Sequence, residues 1–175
     1  RKHKNNDRIL KIIAVILAVL TVGVLPLSSF AFSIEDSAEV IKFNDGKFKV
    51  MHVTDTHLEE YNVGASVWAI AQACDRENPD IVVITGVDMA EGKKCNIGYD
   101  KRNSSFWKVP FEYVNVNYPG TGDIFASVLV GAILRGDSLP IAISRATDFL
   151  EFTIKTTYSF GTESRYGVML ERTLH

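Results

Sequence analysis

An α/β fold built around a parallel strand pair is predicted for this chain, on three observations. Short apolar runs at Phe48–Val53 and Ile81–Thr85 flank a helical pattern at Ala65–Cys74. Two further extended runs face each other across a polar turn at Asp100–Asn103. Two apolar helices then follow between residues 124 and 158, so strands and helices alternate rather than segregate.

Taken in order, the first segment reads as a targeting element. Arg1, Lys2, Lys4, Arg8 and Lys11 form a cationic start, and Ile12–Leu27 is an almost unbroken apolar run that breaks at Pro26. Ser29 and Ala31 place small residues where signal peptidase cuts, which predicts a signal peptide over residues 1–34, cleaved after Ala31, or a membrane anchor helix if uncleaved. A polar connector, Ser33–Glu39, leads to the first strand, Phe48–Val53. In the next segment Val67, Ile70, Ala71 and Cys74 recur at helical spacing, and Glu77-Asn78-Pro79-Asp80 ends the helix. Ile81–Thr85 is a second buried strand. Strand, helix, strand in this order is a βαβ unit, whose strands pair in parallel through a right-handed crossover.

From Val87 the texture changes. Cys95–Tyr99 and Ser105–Val109 read as a hairpin around Asp100–Asn103, and Val114–Asn117 as another short extended stretch. Ile124–Arg135 is apolar on nearly every side, the pattern of a helix buried within a domain. Gly136 supplies the left-handed residue that stops it, Ser138 caps the next helix, and Pro140 sits where a first turn accepts proline. That helix is expected from Pro140 to Tyr158, burying Ala142, Ala146, Phe149 and Ile154. Phe106, Trp107 and Tyr113 are expected as core aromatics.

Composition narrows the function classes. With 46% hydrophobic residues the chain can pack a core, and 19 basic against 21 acidic residues, a net charge of -2, gives no overall basic field for nucleic acid. Two cysteines, Cys74 and Cys95, in segments of different character form neither a disulfide framework nor a zinc site and are expected as free thiols.

Two constellations carry chemistry. The first is Asp55-x-His57 at the end of a strand, followed by a helix and then Ile84-Thr85-Gly86 at the end of the next strand. Ligands bind at strand ends of parallel sheets, and an Asp and a His two apart in a turn can reach one metal ion. Over Lys47–Gly86 the run "KVMHVTDTHL … NPDIVVITG" resembles the opening of the calcineurin-like metallophosphoesterases, which implies a metal-binding role for Asp55 and His57. In that family the second strand ends in Gly-Asp; here Val87 follows Gly86 and Asp88 comes one residue late. The later histidine motifs are absent, so the pair is read as vestigial.

The second is Gly120-Thr121-Gly122-Asp123 at the mouth of a helix. Glycines let successive N–H groups converge, and the helix dipole adds partial positive charge at the same point, which makes an anion hole. A carboxylate held there, Asp123, stays ionised and is placed to take the proton of an attacking hydroxyl. From Ile84 onward the chain, including Asn117–Asp123 (NYPGTGD), resembles the C-terminal part of bacterial pyridoxal and pyridoxamine kinases of the ribokinase-like superfamily. The resemblance implies an incomplete three-layer ribokinase-like α/β sheet with flanking helices. It implies phosphorylation of the 5′-hydroxyl of pyridoxal, pyridoxine or pyridoxamine by ATP with Mg2+, with Asp123 as base and Gly120, Thr121 and Gly122 binding phosphate. Many relatives are homodimers.

The long N-terminal portion of such kinases is not recognisable here. The change of texture at Ile84–Val87 therefore leads to the expectation of a chimera, a metallophosphoesterase-like βαβ fragment (47–86) joined to a kinase-like region (87–175). The destinations conflict as well. The start predicts export, with membrane association through residues 12–27, whereas a kinase needs cytoplasmic ATP.

Overall fold

The computed structural model of the protein describes residues 47–54, 63–89 and 93–174. The expected signal or anchor segment, and the Asp55 and His57 pair, lie outside these residues. Among the described residues no helix is long and apolar enough to cross a membrane.

The elements are β1 (Val50–Val53), α1 (Val63–Glu77), β2 (Ile81–Asp88), β3 (Lys94–Asp100), β4 (Ser105–Phe111), α2 (Thr121–Leu134) and α3 (Leu139–Ser159), followed by single turns of 3-10 helix at Ser164–Tyr166 and Leu170–Arg172. They form one sheet in the order β1-β2-β3-β4. β1 pairs in parallel with β2, Val50 opposite Ile81, and the β2–β3 and β3–β4 pairs are antiparallel. The expected βαβ unit and hairpin are thus both present. The hairpin closes through Lys101–Ser104, where the buried Asp100 carboxylate accepts from the Arg102 amide at 2.9 Å and from its Nε at 3.0 Å.

Successive side chains of a strand point to opposite faces, so a strand covered on both sides needs apolar residues at every position. Residues 81–84 of β2 meet that requirement, with all four buried. Ile81 and Val83 face a core with Phe125, Leu129 and Ile133 of α2 and Leu139, Ala142, Ile143 and Ala146 of α3. Val82, Ile84 and Val87 face α1 through Val67, Ile70 and Cys74. Ile84 and Val87 are an odd number of residues apart, yet they share a face because a β-bulge intervenes. Ile84 pairs with Ile97 and Val87 with Cys95, so Thr85 and Gly86 together oppose Asn96. Gly86 takes φ +71 there. Its amide donates to Asn96 Oδ1 at 3.1 Å, Asn96 Nδ2 donates to Thr147 Oγ1 at 2.9 Å, and the Thr147 hydroxyl donates to Ile143 O at 2.7 Å. This buried polar chain ties the bulge to α3.

Four expectations change. Val114–Asn117 forms no strand; the Val116 amide donates to Val114 O at 2.7 Å, a local turn that draws the backbone away from β4. α2 is buried on one face only, with Val130 41% and Leu134 64% exposed, because α3 and the sheet cover a single side of it among the described residues. In α3, Ala142 and Ala146 are buried, but Phe149 and Ile154 are half-buried while Thr147, Thr153 and Thr157 take inward positions. Those hydroxyls donate to the carbonyls four residues back, at 2.7, 2.8 and 2.8 Å, which removes the cost of burying them. Tyr113 is exposed, with Lys94 Nζ 4.7 Å over its ring, whereas Phe106 and Trp107 are half-buried. Cys74 and Cys95 are free and buried as expected, and burial pushes the Cys95 thiol up to about 11.

α3 approaches the sheet most closely at Gly98, where a Cβ would overlap Ile143 Cδ1 and lie 3.5 Å from Leu139 Cδ2. Gly98→Ala should therefore destabilise the protein by ~1–3 kcal/mol through overpacking. Valine lacks that Cδ1, so in an Ile143→Val background the same substitution should cost less, by roughly 0.5 kcal/mol or more. Chemical denaturation of the four proteins checks this; equal costs in both backgrounds would contradict the packing described.

Candidate active site

The polar end of β1 and the mouth of α2 meet at one place. Buried Tyr118 anchors the loop that enters α2, and Gly120 stands before the helix at φ +84, ψ -1, a left-handed conformation that side chains disfavour. A Cβ on Gly120 would meet nothing within 4 Å, so this residue borders open space. The helical ladder begins with the Ile124 amide donating to Gly120 O at 3.1 Å. The amides of Thr121, Gly122 and Asp123 precede that bond and carry no hydrogen bond among the described residues. The Thr121 hydroxyl donates to Tyr118 O at 3.2 Å instead of capping the helix. Three amides with aligned dipoles behind them make the helix entrance locally positive.

Asp123 lies exposed in the first turn of α2. Gly122 faces β1, where a Cβ would come 3.4 Å from both Thr54 Cγ2 and Thr54 Oγ1. Gly120, Thr121, Gly122 and Asp123 are thus all at or near the surface, none of them sealed into the core. Asp55 and His57 lie outside the described residues. Among those residues no group of three or more His, Cys, Asp or Glu is placed to hold a metal ion. Asp88, considered above for its lateness after Gly86, is held by Lys94 Nζ at 2.6 Å.

Sequence reasoning assigned His52 no role. The imidazole stacks on Phe125 of α2 with ring centroids 5.4 Å apart and planes at 22°. Its Nε2 is 3.3 Å from Thr85 Oγ1, and the Thr85 hydroxyl donates to Val53 O at 3.4 Å. Burial lowers the His52 pKa, and the Asp123 carboxylate opposes that shift. A signal was available: alternation along β1 puts His52 on the same face as Val50, which packs into the α2–α3 core.

A mixed sheet with helices on both faces, and a glycine turn leading into a helix mouth beside the end of β1, fit an α/β fold of the ribokinase-like class. The chain belongs to the phosphomethylpyrimidine kinase family, whose model matches residues 50–168. It is similar to a candidate phosphomethylpyrimidine kinase from Bacteroides thetaiotaomicron in two crystal forms. The rhombohedral form shares 29% identity at a TM-score of 0.60 over 73% of this chain and 46% of that one. The orthorhombic form, with pyridoxal, shares 29% identity at a TM-score of 0.59 over 73% and 48%. A pyridoxal kinase from Entamoeba histolytica shares the fold, with 15% identity and a TM-score of 0.55 over 71% and 45%. The chain spans just under half the length of these structures. No curated protein matches it. The family match extends across residues 84–87, where a join was expected, and so lends the chimera no support.

The protonation of His52 reports on this geometry. Its folded-state pKa is depressed, so the stability it contributes is fully present above the unfolded value of roughly 6.5 and is lost as pH falls through the folded value. Asp123→Asn removes the influence that raises it, so the His52 midpoint followed by NMR should move further down. A midpoint indifferent to that substitution would mean the two groups are not neighbours in solution.

Proposed function

We propose that this chain carries the phosphoryl-transfer end of an ATP-dependent kinase that phosphorylates the 5′-hydroxyl of pyridoxal, pyridoxine or pyridoxamine. The observation that supports this reading most is the mouth of α2: three amides that carry no hydrogen bond among the described residues, an open border at Gly120 and an exposed carboxylate in the first turn. Family membership and the 29% identical structure with pyridoxal favour the same reaction class and acceptor.

In this reading the amides of Thr121, Gly122 and Asp123, with the turn at Gly120, hold oxygens of the nucleotide's β-phosphate and of the transferred phosphoryl group, and the α2 dipole offsets their charge. The arrangement is fixed before the reaction, so no dipole has to reorient as charge develops. Asp123 accepts the proton of the acceptor hydroxyl as its oxygen attacks. Mg2+ would accompany the nucleotide and neutralise charge between its phosphates. The family description favours a second acceptor, a phosphomethylpyrimidine, for the same phosphoryl-binding turn.

An assay with MgATP and each acceptor in turn, with product separated chromatographically, tests the proposal. Formation of the pyridoxal phosphate ester is expected. Asp123→Asn should lower the rate by roughly 10²–10⁴-fold, the usual contribution of a general base, with ADP affinity changed little. Equal rates for the two proteins would remove Asp123 from the chemistry, and product from the pyrimidine alone would reassign the acceptor.

A further inference from the structure

We propose that His52 is a positioning residue for the anion cradle, holding the first turn of α2 against the end of β1 and taking up a proton in linkage with anion binding. The proposal rests on the phosphoryl-binding reading of Thr121, Gly122 and Asp123. Neither sequence resemblance assigns His52 a role.

Three contacts converge on the same turn. Phe125, two residues beyond Asp123, is 2% exposed and has the His52 ring stacked on it at 5.4 Å. Thr54, two residues beyond His52, lies against Gly122. Thr85, in the β2 bulge, holds the far edge of the imidazole at 3.3 Å. The core residues of α2 seat the helix body, and the ring stack at Phe125 and the Thr54 contact at Gly122 bear on its first turn, where the three amides lie.

The Thr85 hydroxyl lies between His52 Nε2, at 3.3 Å, and Val53 O, at 3.4 Å. With the hydroxyl proton directed at Val53 O, the Thr85 oxygen accepts from His52 Nε2–H, and in that tautomer a second proton adds at Nδ1 without breaking the Thr85 bond. Among the described residues, the charged group facing the ring from α2 is Asp123, and β2 offers the neutral Thr85. An anion on the three amides adds negative charge beside the ring and favours the imidazolium. By reciprocity, protonation of His52 strengthens anion binding by the same factor.

The test uses the full chain with ADP as the probe. His52 ring resonances are followed against pH with and without saturating ADP. ADP affinity is measured by calorimetry for wild type, His52→Ala and His52→Phe at about pH 8 and about pH 6, on either side of the unperturbed imidazole value. The His52 midpoint should rise with ADP bound. The ratio of wild-type to His52→Phe affinity should increase on acidification, a comparison that cancels protonation of the nucleotide itself. At the higher pH, His52→Ala should bind about two- to tenfold more weakly, and His52→Phe, which keeps a ring on Phe125, should recover most of that loss. ADP binding with an unmoved midpoint and unchanged affinity in His52→Ala would overturn the role of His52 and leave the cradle standing. No ADP binding to wild type would overturn the cradle and this proposal together. If His52→Ala fails to fold, the midpoint in wild type decides alone.

Discussion

Over residues 81–84, β2 is buried on both faces and paired on both edges, and the elements that shape the site are placed by reference to it. Its parallel partner β1 carries His52 and leads to Thr54. Its antiparallel partner β3 presents Gly98 and Asn96 to α3. Burying each of its isoleucines and valines contributes on the order of 1.5–3 kcal/mol, so this strand's register is strongly specified. The bulge at Thr85 and Gly86 is the one interruption. It turns Thr85 toward the His52 ring and leaves the Gly86 amide to be satisfied by Asn96, so its irregularity serves the site end of the sheet.

From β2 the dependence runs outward to α2. The helix is secured by Phe125, Leu129, Ala132 and Ile133, while its first turn extends past the core to the end of β1. Its interior is apolar and its entrance is polar and, among the described residues, unpaired, so a firmly packed helix presents backbone donors without strain in its body. The left-handed Gly120 makes this arrangement affordable for the chain, because a side chain there would oppose the entering turn.

Much of this was legible in the sequence, for identifiable reasons. Val67, Ile70, Ala71 and Cys74 at helical spacing marked the buried face of α1, and all four are buried. The continuous apolar run of β2 announced a strand covered on both sides. Gly136 does adopt the left-handed conformation, at φ +97. Thr153 and Thr157 were missed because a pattern of hydrophobicity ranks threonine as polar, whereas within a helix its hydroxyl can bond to the preceding turn. The solvent-facing side of α2 was missed because an all-apolar helix carries no periodic mark of which side lacks a neighbour. At the site, the Gly-Thr-Gly-Asp run was legible because glycine spacing and helix onset are local. His52 was not, since its meaning depends on contacts with Phe125 and Thr85, which are distant in sequence.

The central claim is that the amides of Thr121, Gly122 and Asp123 grip a phosphate. Amide resonances of the full chain, recorded during parallel titrations with ADP and with adenosine, test it most directly. Phosphate hydrogen bonding predicts large downfield shifts at those three amides with ADP, absent with adenosine. Binding of ADP that leaves all three unmoved while perturbing amides elsewhere would contradict the claim.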